Sequence, residues 1–350
     1  MNNVDTGIIS NKNKENYELI DVMKFICAIM VVVIHSGVSN DTNSTVQWYI
    51  LQIALRLAVP FFFIASGFLF GKKYLKNKAN LKQISKKQIK RLLIPYIFWS
   101  IVNIPFIMHS LQFDGNVFVY ILRIIRLLIF NGYHLWFVLA LIVAIFIEYI
   151  FLKKNKIKIA IILSIMLYCI ALLGNSYYFL IEGTPFQNIM DIIIKVFSIV
   201  RNGIFVGFPL FTVGICIAFY EKKICNINNK IVYILLVFFI LTQAIEATFI
   251  RGKNYMDDYS TFISTIFVST ILLIICIKNK DVKFKRIDTK RLRSLSTGFY
   301  YMHFSIEKYM LILVPTLSNW SILVITILIL IITNYILLKI NNKYINLLIK

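Results

Sequence analysis

Residues 19–38 read Leu19-Ile20-Asp21-Val22-Met23-Lys24-Phe25-Ile26-Cys27-Ala28-Ile29-Met30-Val31-Val32-Val33-Ile34-His35-Ser36-Gly37-Val38. A bilayer core of about 30 Å needs roughly 20 apolar residues in a helix, and this run supplies them. The first 17 residues are polar and carry Lys12 and Lys14. No small-residue cleavage site follows, and many similar runs come later, so the stretch reads as a first membrane helix rather than a signal peptide.

Working outward from it, nine further runs qualify: 47–70, 92–112, 134–152, 157–173, 203–220, 231–249, 259–277, 294–315 and 320–338. The expectation is an all-α, polytopic integral membrane protein of about ten transmembrane helices. Residues 1–18 form a cytoplasmic tail, 19–338 a single transmembrane domain and 339–350 a basic cytoplasmic tail. There is no internal repeat, linker or soluble domain. Two apolar stretches, 117–130 and 189–200, are too short or too charged to count as spans. The first carries Arg123 and Arg126, which share a helix face, and suits an outer interfacial helix.

Composition agrees. Of the 350 residues, 59% are hydrophobic and 15% charged, and the mean hydropathy is +0.76. A soluble domain is about 45–50% apolar and about 25% charged. The net charge of +22 raises nucleic acid as a partner. The positive residues sit between the apolar runs, however, as cytoplasmic loops require, and no recognition motif accompanies them. No nucleic-acid partner is expected. With the N-terminus inside, 29 of the 38 Lys and Arg fall in inside segments and 6 in outside ones. That split puts both termini in the cytoplasm if the span count is even. The cysteines (Cys27, Cys169, Cys216, Cys225 and Cys276) show no paired spacing for a metal or redox site, so no metal is expected.

Ionisable groups within spans are costly and mark candidate sites. Asp21 and Lys24 are three apart, which makes an ion pair between them plausible. Lys24 and His35 are 11 residues apart, about 16 Å and three turns along one face. Of the four histidines, His35, His109 and His134 fall near the outer boundary, and His303 nearer mid-membrane with Glu307 one turn on. Histidine is the usual general base near neutral pH. The plain alternative for each is a packed helix residue, most of all for His109.

Five pieces of the chain carry a resemblance. They are Lys24 with His35 eleven positions later; Pro60-Phe61-Phe62-Phe63-Ile64-Ala65-Ser66-Gly67-Phe68; Arg91-Leu92-Leu93-Ile94-Pro95; His134-Leu135-Trp136; and Tyr300-Tyr301-Met302-His303. In this order they resemble the membrane acyltransferase family 3, whose members move acyl groups, often acetyl, onto cell-surface carbohydrate. The family's usual basic residue in the first helix is Arg, where this chain has Lys24. Lys24 and the run Arg201-Asn202-Gly203-Ile204-Phe205-Val206-Gly207-Phe208-Pro209 are similar to one branch in particular. That branch includes the membrane domain of vancomycin-resistance serine racemases, which is associated with serine uptake. No racemase domain follows Lys350, so racemase activity is not expected, while a serine-handling membrane domain stays open.

The resemblance implies cytoplasmic acyl-CoA as co-substrate, with no bound cofactor, and a cell-envelope carbohydrate acceptor at a bacterial plasma membrane. His35 would be the catalytic base. Lys24, Arg56 and Arg91 would bind the donor or balance charge, and the basic loops 71–91 and 278–293 would attract its phosphates. No phosphate-cradling glycine loop is present. His134, Arg123 and Arg201 are acceptor-side candidates. Asp21, Ser66, Glu148, His303 and Glu307 are supporting candidates, with Glu148 or Glu307 able to orient His35. Gly203 and Gly207, and the Ser66-Gly67 pair, suit close helix packing. The competing class is a transporter-like domain for serine or a similar small amino acid, its path lined by the same polar groups.

Overall fold

A computed structural model describes residues 16–38, 45–111, 113, 115–128, 133–251, 253, 260–285, 288–340 and 342–349. Lys12 and Lys14 lie outside them. All regular structure among the described residues is helical. In chain order the helices are α1 (Glu18–His35), α2 (Thr45–Lys76), α3 (Leu81–Ser110), α4 (Val117–Arg126), α5 (Trp136–Lys153), α6 (Ile157–Leu173), α7 (Pro185–Phe197), α8 (Gly203–Cys225), α9 (Asn229–Ile250), α10 (Ile263–Lys278), α11 (Thr289–Leu313), α12 (Asn319–Ile340) and α13 (Lys343–Ile349).

The protein is a multi-pass membrane protein. Among the described residues six helices are long and apolar enough to cross a bilayer: α2, α3 (with the short turn at Lys78–Asn80), α5, α8, α9 and α12. Helices α6 and α10 are apolar but shorter. Each of the ten apolar runs overlaps a helix among the described residues, but α1 and α11 carry several charges each and differ in kind from the six. Large apolar side chains of α9 and α12 (Ile234, Phe238, Ile245, Trp320, Leu328 and Ile332 among them) lie exposed, as lipid-facing surfaces do. Helix α4 has no buried residue and gathers its apolar side chains on one face, as an interfacial helix does. Helix α7, which overlaps the stretch 189–200 not counted as a span, buries only Met190.

Helices α2 and α8 form the most extensive helix contact and run parallel. Their contact depends on glycine. A Cβ on Gly67 would collide with the carbonyl oxygen of Phe211, and one on Gly214 with that of Ile64. Only hydrogen lets the backbones come this close. Rings fill the flanks, with Phe70 and Phe211 5.5 Å apart. Gly203 and Gly207 play the same part against α5, where a Cβ on Gly207 would stand 2.9 Å from the Ala140 oxygen.

Two helices start irregularly. Helix α2 opens through a π-helical turn (Ile50–Ala54) and a 3-10 turn (Leu55–Leu57) that carries Arg56. Helix α8 opens through a π-helical turn (Gly203–Gly207), whose first amides are capped by Asn202: its Oδ1 accepts from Ile204 N at 2.9 Å and Phe205 N at 3.2 Å. Arg201 stands immediately before that cap.

Candidate functional site

Helices α1 and α11 lie side by side, and their contacts rise in step along both chains, so they run parallel. At the lower end Arg293 donates through Nε to Asp21 Oδ1 at 2.8 Å and through Nη2 to Oδ2 at 2.5 Å. Next, Ser296 Oγ donates to the Lys24 carbonyl at 3.1 Å. The Phe25 and Phe299 rings follow at 5.4 Å. At the top the His35 and His303 rings are 5.2 Å apart. Both helices carry the same spacing of three and four residues: Asp21, Lys24, Ala28, Val31, His35 on one, and Arg293, Ser296, Tyr300, His303, Glu307 on the other. That spacing keeps one stripe of a helix against a parallel neighbour.

The ion pair expected between Asp21 and Lys24 is therefore corrected: Asp21 pairs with Arg293 of α11. A guanidinium approaching from the neighbouring helix offers two parallel N–H donors to the carboxylate, which an ammonium one turn away cannot. Lys24 remains in the field of Asp21 and of the cations Arg293, Lys73 and Arg91. Close by, Tyr17 donates to Glu221 of α8 at 2.8 Å, and Lys72 pairs with the same carboxylate. The lower end of the seam is thus a polar layer with Lys24, Lys72, Lys73, Arg91 and Arg293 on four helices.

At the upper end three histidines converge from three elements. His134, on the 3-10 turn before α5, has its ring centroid 5.1 Å from that of His303 and stacks on Phe304 at 4.6 Å. His134 is 2% exposed and His303 fully buried, while His35 is half-buried. The Tyr300 hydroxyl donates to the His134 carbonyl, His134 Nε2 lies 3.3 Å from the Tyr301 oxygen, and His303 Nδ1 lies 3.0 Å from the Phe299 oxygen. His134, an acceptor-side candidate, is buried inside this cluster. His303, expected nearer mid-membrane than His35, sits beside it. The reason is length: α1 has 18 residues and α11 has 25, so α11 continues about 15 Å past His303 and leaves the end of α1 recessed.

The charged groups acting on the His35 ring are Arg201, Lys308 and Arg56, from three different elements. The Arg201 guanidinium stands 5.1 Å from the Trp136 ring, and Lys308 5.5 Å from that of Phe304. The structure thus brings together His35, His134, His303, Arg56 and Arg201 at one end of the seam, and Lys24, Arg91 and Asp21 at the other.

It does not bring in the rest. Glu148 is fully buried on α5, where Thr212 of α8 donates to it, and no hydrogen bond joins it to His35 among the described residues. Glu307 is fully buried one turn beyond His303, and no hydrogen bond joins it to His35; both its oxygens lack a partner among the described residues. Ser66 is half-buried beside the Gly67 notch. Arg123 is exposed on α4, and His109 is exposed at the end of α3. No group of three metal-ligating side chains forms among the described residues. Arg293 and Lys308 are the site residues that sequence reasoning passed over. The three-and-four spacing from Arg293 through His303 to Glu307 was the signal for the first.

Comparisons with known proteins give the family of the chain as a whole. The family model for the acyltransferase domain (acyltransferase family 3) matches residues 17–338. An amino-acid racemase of Enterococcus faecalis is 27% identical over 317 residues, covering 87% of this chain and 44% of that protein. A second amino-acid racemase of the same organism is 30% identical over 203 residues, 57% of this chain and 28% of its own length. A serine/alanine racemase of Enterococcus gallinarum is 31% identical over 209 residues, 58% and 29% respectively. The chain spans less than half the length of these relatives. No solved structure matches.

Proposed function

Since the chain belongs to acyltransferase family 3, we propose that it moves an acyl group, acetyl in the first instance, from cytoplasmic acyl-CoA to a hydroxyl of an extracytoplasmic cell-surface carbohydrate. The membrane is that of a bacterial cell, as the Enterococcus relatives suggest. Ten spans with both termini inside fit the positive-inside count. The parallel course of α1 and α11, and of α2 and α8, supports that arrangement, because the first and ninth spans, and the second and sixth, then cross in the same direction.

One observation carries the reading: a single parallel seam joins a basic layer at its lower end to a recessed histidine at its upper end. Anionic phosphates of the donor suit Lys24, Arg91 and their neighbours. The donor's thiol arm then follows the seam upward, so that the thioester meets His35. His35 takes the proton of the acceptor hydroxyl as the oxygen attacks the thioester carbon. Arg56 and Arg201 stabilise the negative oxygen that develops there. The C–S bond then breaks, and the proton is returned to the leaving sulfur.

Labelled acetyl-CoA supplied to proteoliposomes with cell-wall fractions tests this. Label should appear in the carbohydrate with wild type and not with His35→Ala. A second reading, passage of serine or a similar small amino acid, draws on the names of the racemase relatives. Saturable serine uptake by the same vesicles without thioester turnover would support it instead.

A further inference from the structure

We propose that His303 is a proton-holding partner of His35 in the transfer, with Glu307 as its counter-charge. The inference rests on the acyltransferase reading. His303 acts through His35 and does not itself touch the acceptor.

Three observations on the cluster lead to it. First, the protons of both buried rings are assigned by their partners. A backbone carbonyl can only accept, so the contact of His303 Nδ1 with the Phe299 oxygen makes Nδ1 the N–H, and the contact of His134 Nε2 with the Tyr301 oxygen makes that nitrogen the N–H. The other nitrogens, His303 Nε2 and His134 Nδ1, are left as bare lone pairs. Both are buried without a partner among the described residues. A lone pair held in one orientation through the opposite nitrogen is what proton acceptance requires.

Second, His303 is the middle ring. Its centroid is 5.2 Å from His35 and 5.1 Å from His134, both within ring contact. Third, the surroundings oppose a positive charge left on His35. Arg56 of α2, Arg201 before α8 and Lys308 of α11 all act on that ring. Around His303 the other groups are His134, Lys308 and Glu307, and Glu307 is a fully buried carboxyl one turn along the same face, with no hydrogen bond to either oxygen among the described residues. A buried carboxylate without a partner is costly. A proton on His303 would offset that cost and move positive charge away from Arg56 and Arg201, while Lys308 acts on both rings.

The step balances. One nitrogen of His35 takes the hydroxyl proton as the C–O bond forms. The other nitrogen of His35 passes its proton to His303 Nε2, leaving His35 neutral and His303 positive beside Glu307. When the C–S bond breaks, its electron pair stays on sulfur. The proton returns from His303 to His35 and from His35 to the thiolate, giving the free thiol. Both rings end as they began.

The test uses the full chain in proteoliposomes, with acetyl-CoA and a working acceptor fraction, in single turnover. His303→Asn retains a donor where Nδ1 stood and loses the basic nitrogen. Its thioester cleavage rate should fall about 10²–10⁴-fold, with KM for acetyl-CoA and thermal stability unchanged. His303→Ala should recover turnover when imidazole is added, which a packing role would not do. Wild type measured in mixed H₂O and D₂O should give a curved dependence on deuterium fraction, since two protons move. A folded His303→Asn protein at the wild-type rate, or a linear isotope dependence in wild type, would overturn the proposal. His35→Ala is scored alongside: if it is inactive while His303→Asn is fully active, only this inference falls. If wild type shows no turnover, the acyltransferase reading falls and takes this inference with it.

Discussion

Helix pairs α2–α8 and α1–α11 are both parallel and both extensively packed, yet they are built from opposite materials. The first is held by backbone approach at Gly67 and Gly214 and by interlocked phenylalanines, apolar throughout its middle. The second runs from the Asp21–Arg293 ion pair to the histidine cluster, with Glu307 buried beyond it. Lipid offers no hydrophobic drive between helices, so close packing of small residues is what fixes a pair such as α2–α8. A pair that buries charges gains less from packing and is retained for what the charges do. Scaffold and chemistry are thus separated in this protein, and substitutions on the two pairs should fail in different ways.

The largest effect is expected on the scaffold. Gly214→Val forces branched carbons into the Ile64 carbonyl and the Phe68 amide, which are backbone atoms that cannot swing aside. Overpacking of this kind costs about 1–3 kcal/mol in ordinary cores, and a backbone clash belongs at or above the top of that range. Yield of monodisperse protein in detergent and its melting temperature should both collapse, and all activity with them. On the seam, Asp21→Asn leaves Arg293 without its carboxylate. Breaking a buried pair costs about 3–5 kcal/mol, but the Arg293 side chain is 50% exposed, and screening reduces this to about 1–2 kcal/mol. A charge reversal, Asp21→Arg with Arg293→Asp, should restore part of the lost melting temperature. Failure of the pair to recover anything would mean that the contact is incidental.

Smaller effects sharpen the contrast. Tyr300→Phe removes the donor to the His134 carbonyl, worth about 1 kcal/mol, and should lower turnover more than it lowers the melting temperature. Lys24→Arg keeps the charge at the lower end of the seam and adds the two-pronged geometry usual in the family, so thioester turnover should be retained. An inactive Lys24→Arg protein would mean that the ammonium itself is required there.

Much of this architecture was legible because helices that meet lipid must be apolar over a fixed length. The runs 231–249 and 320–338 declare themselves and appear as α9 and α12. The packing role of Gly67 was also readable, since glycine beside Ser66 in an apolar run has few other uses. The site was legible only in part. Asp21 was matched to Lys24 because a sequence shows neighbours along one helix and not the residue of a second helix lying 272 positions away. Glu148 was a candidate support for His35 for the same reason, and only the contact between α5 and α8 reveals Thr212 as its partner. The level of His303 relative to His35 depends on α1 ending early while α11 continues. Residues 39–44, which follow α1, lie outside the described residues.

The central claim is that the α1–α11 seam carries out acyl transfer at His35, and thioester turnover measures it most directly. Wild type and His35→Ala, reconstituted at equal amounts of folded protein, should be given acetyl-CoA and a cell-wall acceptor fraction, and loss of the thioester followed. Wild type should turn over steadily and His35→Ala should not, at an unchanged melting temperature. Equal turnover by the two proteins would contradict it.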